Sequence, residues 1–158
     1  MVTPELIDLD LLERLSEVAR SSARLRKNHN FHASDSDCCQ RLLNAIEPGS
    51  YVRPHRHVDP NKDETFVVLR GRFGLILFDT DGAITQKIIL DSAGPRFGIT
   101  IPHRTFHSII SLLPGSVFFE SKAGPYAPLT PEELAAWAPA EKDAGAAPYR
   151  ARLEALFA

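Results

Sequence analysis

Residues 49–71, GSYVRPHRHVDPNKDETFVVLRG, hold two histidines one residue apart and, after a loop, a carboxylate heading a run of β-branched and aromatic residues. On a strand, residues two apart face the same side, so His55 and His57 are expected to aim both imidazoles at one point, with Tyr51 and Arg53 in the same row. Pro54 is tolerable there only at an edge or bulge. Glu64 opens TFVVLRG, the neighbouring strand, and shares a face with Phe66 and Val68. Two His and one Glu brought together across two strands make most of a divalent-metal site. The stretch 98–110, GITIPHRTFHSII, offers a fourth donor, because a short strand ends at Pro102 and His107 starts the next one. Neutral imidazole and carboxylate suit zinc, iron, manganese, nickel and copper, so the donors alone do not name the ion.

Working outward, short strands separated by turns fill the middle of the chain: QRLLNAI, SYVRPHRHV, TFVVLRG, FGLILFD, AITQKIIL, RFGITIP, FHSIISL and SVFFESK, with Thr80-Asp81-Gly82 as a hairpin turn. No helical pattern separates them, which excludes a parallel βαβ sheet and leaves a mainly β, antiparallel double-sheet barrel. Before them, residues 8–25 carry a helical apolar stripe with Asp10 and Glu13 as a capping pair, and residues 26–39 read as a polar loop. After them, Thr130-Pro131-Glu132-Glu133 reads as the start of a helix over TPEELAAWA, followed by a linker and a terminal helix in PYRARLEALF. The expected organisation is one structural domain: an N-terminal helix in 1–27 packed on a barrel of 28–126, with a helical extension over 127–158.

Composition narrows the partners. A chain of 158 residues with a formal net charge of −2 lacks the basic excess that nucleic-acid binding requires. Its apolar runs fall well short of the roughly 18 residues of a membrane span, and MVTPELIDLDLLERL carries acids where a signal peptide needs a basic start. A cytoplasmic protein without nucleic-acid or membrane partners is expected. Cys38 and Cys39 are adjacent and are expected to stay reduced.

The residues also resemble a family. Gly49, His55, His57, Glu64 and Gly71 follow cupin motif one in order, although six residues, not three or four, separate His57 from Glu64. Pro102 and His107 match motif two, in which Arg104 and Ser111 replace a Gly and an Asn. The run from Asn30-Phe31-His32 through SYVRPHRH, DETFVVLRGR, IPHRTFH and FFESKAGPY is similar to the WbuC-type cupin-fold metalloproteins over roughly residues 28–138. That resemblance implies a cupin double-stranded β-helix, or jelly-roll barrel, with short C-terminal helices, and a homodimer. It also implies a divalent metal, zinc or iron first and manganese or nickel next, held by His55, His57, Glu64 and His107. The association of WbuC-type proteins with surface-polysaccharide gene clusters implies a sugar-like substrate.

Within that frame Tyr51 or His32 is the candidate acid or base, and Arg53, Asn30, Phe66 and Phe106 are candidate substrate contacts. HRHVD also resembles the HxHxD of metallo-β-lactamase-like hydrolases, but Pro60 stands where that pattern needs a histidine. The functional expectation is a metalloenzyme, of isomerase, epimerase or dioxygenase type, acting on a small polar or anionic molecule. A non-catalytic metal or small-ligand binding module is the alternative.

Overall fold

The computed structural model describes residues 4–158; the first three residues of the expected N-terminal unit lie outside them. The chain runs α1 (Leu9–Ser21), β1 (Arg26–Asn30), β2 (Cys39–Ile46), β3 (Glu64–Arg70), β4 (Arg72–Phe78), β5 (Ile84–Asp91), β6 (Gly98–Ile101), β7 (Phe106–Ser111), β8 (Ser116–Ala123) and α2 (Ala146–Glu154). The strands form two sheets, β1-β2-β8-β3-β6 and β5-β4-β7, in which every pairing is antiparallel.

Alternation along the strands fills the space between the sheets. Ile46, Phe66, Val68, Ile101 and Phe118 from the larger sheet meet Phe73, Leu75, Leu90 and Ile109 from the smaller one. The opposite parity serves the outer faces. Leu43, Ala45 and Val117 point outward beneath Leu11, Leu12, Leu15 and Ala19 of α1, each buried leucine contributing about 1.5–3 kcal/mol. Ile76, Phe78 and Phe106 point outward beneath Ala135, Ala138 and Leu153 of the C-terminal segment. Both β4 faces are therefore covered, which explains its nearly continuous apolar sequence FGLILF.

Local chemistry fixes the ends. Helix α1 is capped by Asp8, which accepts from Leu11 N at 2.9 Å, two residues ahead of the expected Asp10. Arg70, at the end of β3, donates to Leu12 O, Ser16 Oγ and Glu13 and so ties this helix to the barrel. At the β3–β4 turn Gly71 has φ +81°, and a Cβ there would lie 2.2 Å from Ser116 Oγ, so the turn requires glycine.

Three expectations need correcting. Residues 26–30, read as loop, form edge strand β1. SYVRPHRHV is not a regular strand: it meets β7 at the single bridge His55↔His107 and the C-terminal segment at His55↔Leu134. TPEELAAWA does not become a helix. Thr130 and Glu133 do make the capping contacts, Thr130 N and Oγ1 donating to Glu133 Oε2, but the backbone that follows pairs with residues 54–56, through Arg56 N to Glu133 O and Ala135 N to Pro54 O.

Candidate metal centre

Segment 53–57 is clamped from both sides. His55 and His107 exchange backbone hydrogen bonds of 3.0 and 2.9 Å, Arg104 N donates to His57 O, and Val58 N donates to Glu133 Oε1. Glu64 enters from the start of β3, and its side chain is almost completely buried. One donor atom from each of His55, His57 and Glu64 lies within 4.8 Å of the other two. His107 joins them: its Nε2 is 3.0 Å from Glu64 Oε2, and its ring centroid is 4.6 Å from that of His55.

The rings are oriented by their other nitrogens. His55 Nδ1 lies 3.1 Å from Arg53 O, and His107 Nδ1 lies 3.0 Å from Thr105 O. A carbonyl oxygen only accepts, so both Nδ1 atoms carry the proton and both Nε2 lone pairs face the cluster, as second-shell bonds commonly arrange for metal-binding histidines. His57 presents Nε2 to Glu64 Oε1 at 3.0 Å, with Nδ1 3.7 Å from Glu133 Oε1.

Among these four donor residues, two buried atoms remain without a hydrogen-bond partner, Glu64 Oε2 and His107 Nε2. They are 3.0 Å apart but not aligned to bond each other, and both converge on the space the other imidazoles face. Buried polar atoms left unpaired are uncommon and call for an explanation. A divalent ion fits these donors in number and type.

The site's own charges form a tight ion cluster. Burial would raise the Glu64 carboxyl, but His107, His57 and Lys122 outweigh it and hold Glu64 well below the usual carboxylate range. Burial opposes protonation of His107, yet Glu64 pulls it above the ordinary value. Burial and the neighbouring His107 push His55 down to about 3. Lys122 Nζ bridges Glu64 Oε1 and Glu120 Oε1, each at 2.7 Å. Burial opposes the Lys122 charge, but the two carboxylates raise its pKa. Glu120, whose Oε2 accepts from Asn44 Nδ2 at 2.8 Å, is raised by burial.

Behind the donors lies a cavity of about 310 Å³ between the sheets, to which His55, Glu64 and His107 all contribute. Asn30, His32 and Phe66, expected at the site, line it. Tyr51, Arg53 and Phe106 do not. The Tyr51 hydroxyl donates to Pro139 O, Arg53 donates to Ala135 O, and Phe106 packs outward under Arg56 and Trp137. The irregular backbone around Pro54 breaks the alternation that put Tyr51 and Arg53 in one row with the histidines. On β7, adjacent residues take opposite faces, so His107 inward means Phe106 outward. The sequence reading gave no role to Lys122, Glu120 or Asn44, although Phe118, Glu120 and Lys122 share the inward parity of SVFFESK. The cysteines are free and exposed, and no helix among the described residues is long and apolar enough to cross a membrane.

Two antiparallel sheets closed around a histidine and carboxylate cluster define a cupin-type barrel, and solved structures share it. KdgF from a Halomonas species matches with a TM-score of 0.50 and 20% identity, over 65% of this chain and 82% of its own. A cupin superfamily protein from Desulfitobacterium hafniense matches with a TM-score of 0.51 and 17% identity, over 69% and 86%. The capsular polysaccharide assembling protein CapF from Staphylococcus aureus matches with a TM-score of 0.53 and 18% identity, over 68% of this chain and 29% of its own. At these identities the likeness is one of fold. No curated protein matches. The chain belongs to the family described as Domain of unknown function (DUF6016), whose model matches residues 7–90, just over half of its length.

Proposed function

We propose that this chain is a WbuC-type cupin metalloenzyme that holds one divalent ion through His55, His57, Glu64 and His107 and acts on a small polar molecule in the adjoining cavity. The observation that carries the reading is the pair of unpartnered buried atoms, Glu64 Oε2 and His107 Nε2, meeting where the other two imidazoles converge. A bound divalent ion with three or four protein donors supplies Lewis-acid polarisation or an activated water. The chain's own residues do the rest. The Arg53 and Thr105 carbonyls hold two imidazoles in the donor tautomer, Lys122 fixes Glu64 through Oε1, and Phe66, Ile109 and Phe118 give the cavity its apolar floor. His32 lines that cavity and is the acid or base candidate within reach of a bound molecule; Tyr51, committed to Pro139 O, is not.

The test is metal content after purification without chelator, measured by mass spectrometry on the parent and on Glu64→Ala and His107→Ala. Near-stoichiometric metal in the parent and background levels in both variants are expected. Unchanged occupancy in the variants refutes the site.

A further inference from the structure

Away from the imidazoles, the cavity is walled by β1 and β2. Alternate residues share a face, so Asn28 and Asn30 of β1 line the cavity beside Gln40 and Asn44 of β2, and Asn28 pairs with Asn44 across the ladder. His32 follows directly after β1. It is 7% exposed. Its Nδ1 lies 3.1 Å from both the N and the O of Arg41, while its Nε2 is buried without any partner. Whichever tautomer the Arg41 backbone selects, Nε2 is left as an unused donor or acceptor on a residue of the cavity lining.

The cavity's cations are already matched. Among the described residues only Arg26 and Lys122 bring positive charge to its lining. Arg26 pairs with Glu141 and donates to Tyr51 O, and Lys122 sits between Glu64 and Glu120. An entering anion would have to displace an internal carboxylate, whereas the neutral wall stands open.

We infer that this wall is a subsite for a small neutral polyhydroxylated molecule, with His32 Nε2 and the carboxamides of Asn28 and Asn30 as its specificity-determining contacts. A hydroxyl both donates and accepts, as a carboxamide does, and it satisfies His32 in either tautomer. A carboxylate only accepts, so the acid of the same skeleton loses every pairing in which that hydroxyl donates, and it meets Glu120. A volume of about 310 Å³ is at the small end of ligand sites and suits one sugar ring. The inference rests on the proposed function in that the subsite adjoins the metal donors.

The experiment measures binding of D-glucose, D-galactose and D-mannose against D-glucuronate and D-galacturonate by ligand-observed NMR. Chelator-treated and zinc-reconstituted protein are both used, and zinc content is assayed separately. Saturable binding of at least one hexose is expected, about tenfold tighter than its uronate in the chelator-treated form. His32→Phe should weaken that binding about tenfold, the scale of one lost hydrogen bond, with zinc content unchanged. Asn28→Leu, at an exposed position that does not threaten folding, should weaken it severalfold. A uronate bound more tightly by the chelator-treated protein, no saturable binding of any hexose, or parent-like binding by both variants overturns the inference. Absent metal with hexose binding intact would sink the proposed function and leave the subsite standing.

Discussion

Replacing Lys122 by Met tests whether the buried charge cluster is organised as described. Nζ lies 2.7 Å from a carboxylate oxygen of both Glu64 and Glu120, and the three side chains are 18%, 3% and 8% exposed. Methionine keeps most of the volume and removes only the charge, leaving two carboxylates facing each other in a nearly dry cavity. Breaking a buried pair from one side costs about 3–5 kcal/mol, and the residual exposure of Lys122 favours the lower figure. Urea denaturation of metal-free Lys122→Met at neutral pH should therefore show a loss of about 3 kcal/mol. In a domain of this size that corresponds to a Tm lower by about 6–12 °C. With zinc bound, a second cation balances Glu64, and the loss should shrink to about 1 kcal/mol. The two losses close a cycle: a difference of about 2 kcal/mol means the variant binds zinc about thirtyfold tighter than the parent, which a competition titration measures independently. A metal-free loss below about 1 kcal/mol, or equal losses with and without zinc, would refute this account of the cluster.

The metal-free protein should be most stable near pH 6.5. His55, pushed from 6.5 down to about 3, stays neutral in the fold while the unfolded chain takes up a proton, so stability is lost as pH falls from 6.5 toward 3, by about 1–2 kcal/mol near pH 5. His107 is shifted upward, so its contribution is complete below 6.5 and is lost as pH rises through its folded value. Glu64, shifted well below 4.5, adds a further loss on the acid side of 4.5. Denaturation midpoints across pH check this order, and His55→Asn should flatten the decline between 6.5 and 4.5. Glu133 accepts from Val58 N, Thr130 N and Thr130 Oγ1 and lies 3.7 Å from His57 Nδ1. Glu133→Ala should therefore weaken zinc binding about tenfold by releasing His57, the usual scale for losing an outer contact of a metal ligand, and an affinity equal to the parent's would refute that role.

What the sequence disclosed depended on whether a residue's task coincided with its packing. The apolar alternation of TFVVLRG, FGLILFD and SVFFESK is the packing itself, so β3, β4 and β8 were legible and Glu64 fell on the same face as Phe66. His55 and His57 were legible for a different reason. Their spacing survives because His55 exchanges backbone hydrogen bonds with His107 on one side while its neighbours Arg56 and Pro54 bond Glu133 and Ala135 on the other, even though Pro54 and the bends around it keep the segment from being a strand. The same bends turned Tyr51 and Arg53 away. The Thr130 to Glu133 signal was right as a capping contact and wrong as a helix, because Ala135 and Ala138 are taken into the core over Phe78 and Phe106, a tertiary demand that a local motif does not carry. Strand β1, RKNHN, left no trace in hydrophobic patterning, since Asn28 and Asn30 line the polar cavity while on the other face Lys27 is exposed and His29 pairs with Glu5. A strand that turns carboxamides toward a cavity gives up the apolar alternation by which strands are recognised. The edge of the barrel that carries the proposed subsite is therefore the one a pattern-based reading mistakes for a loop.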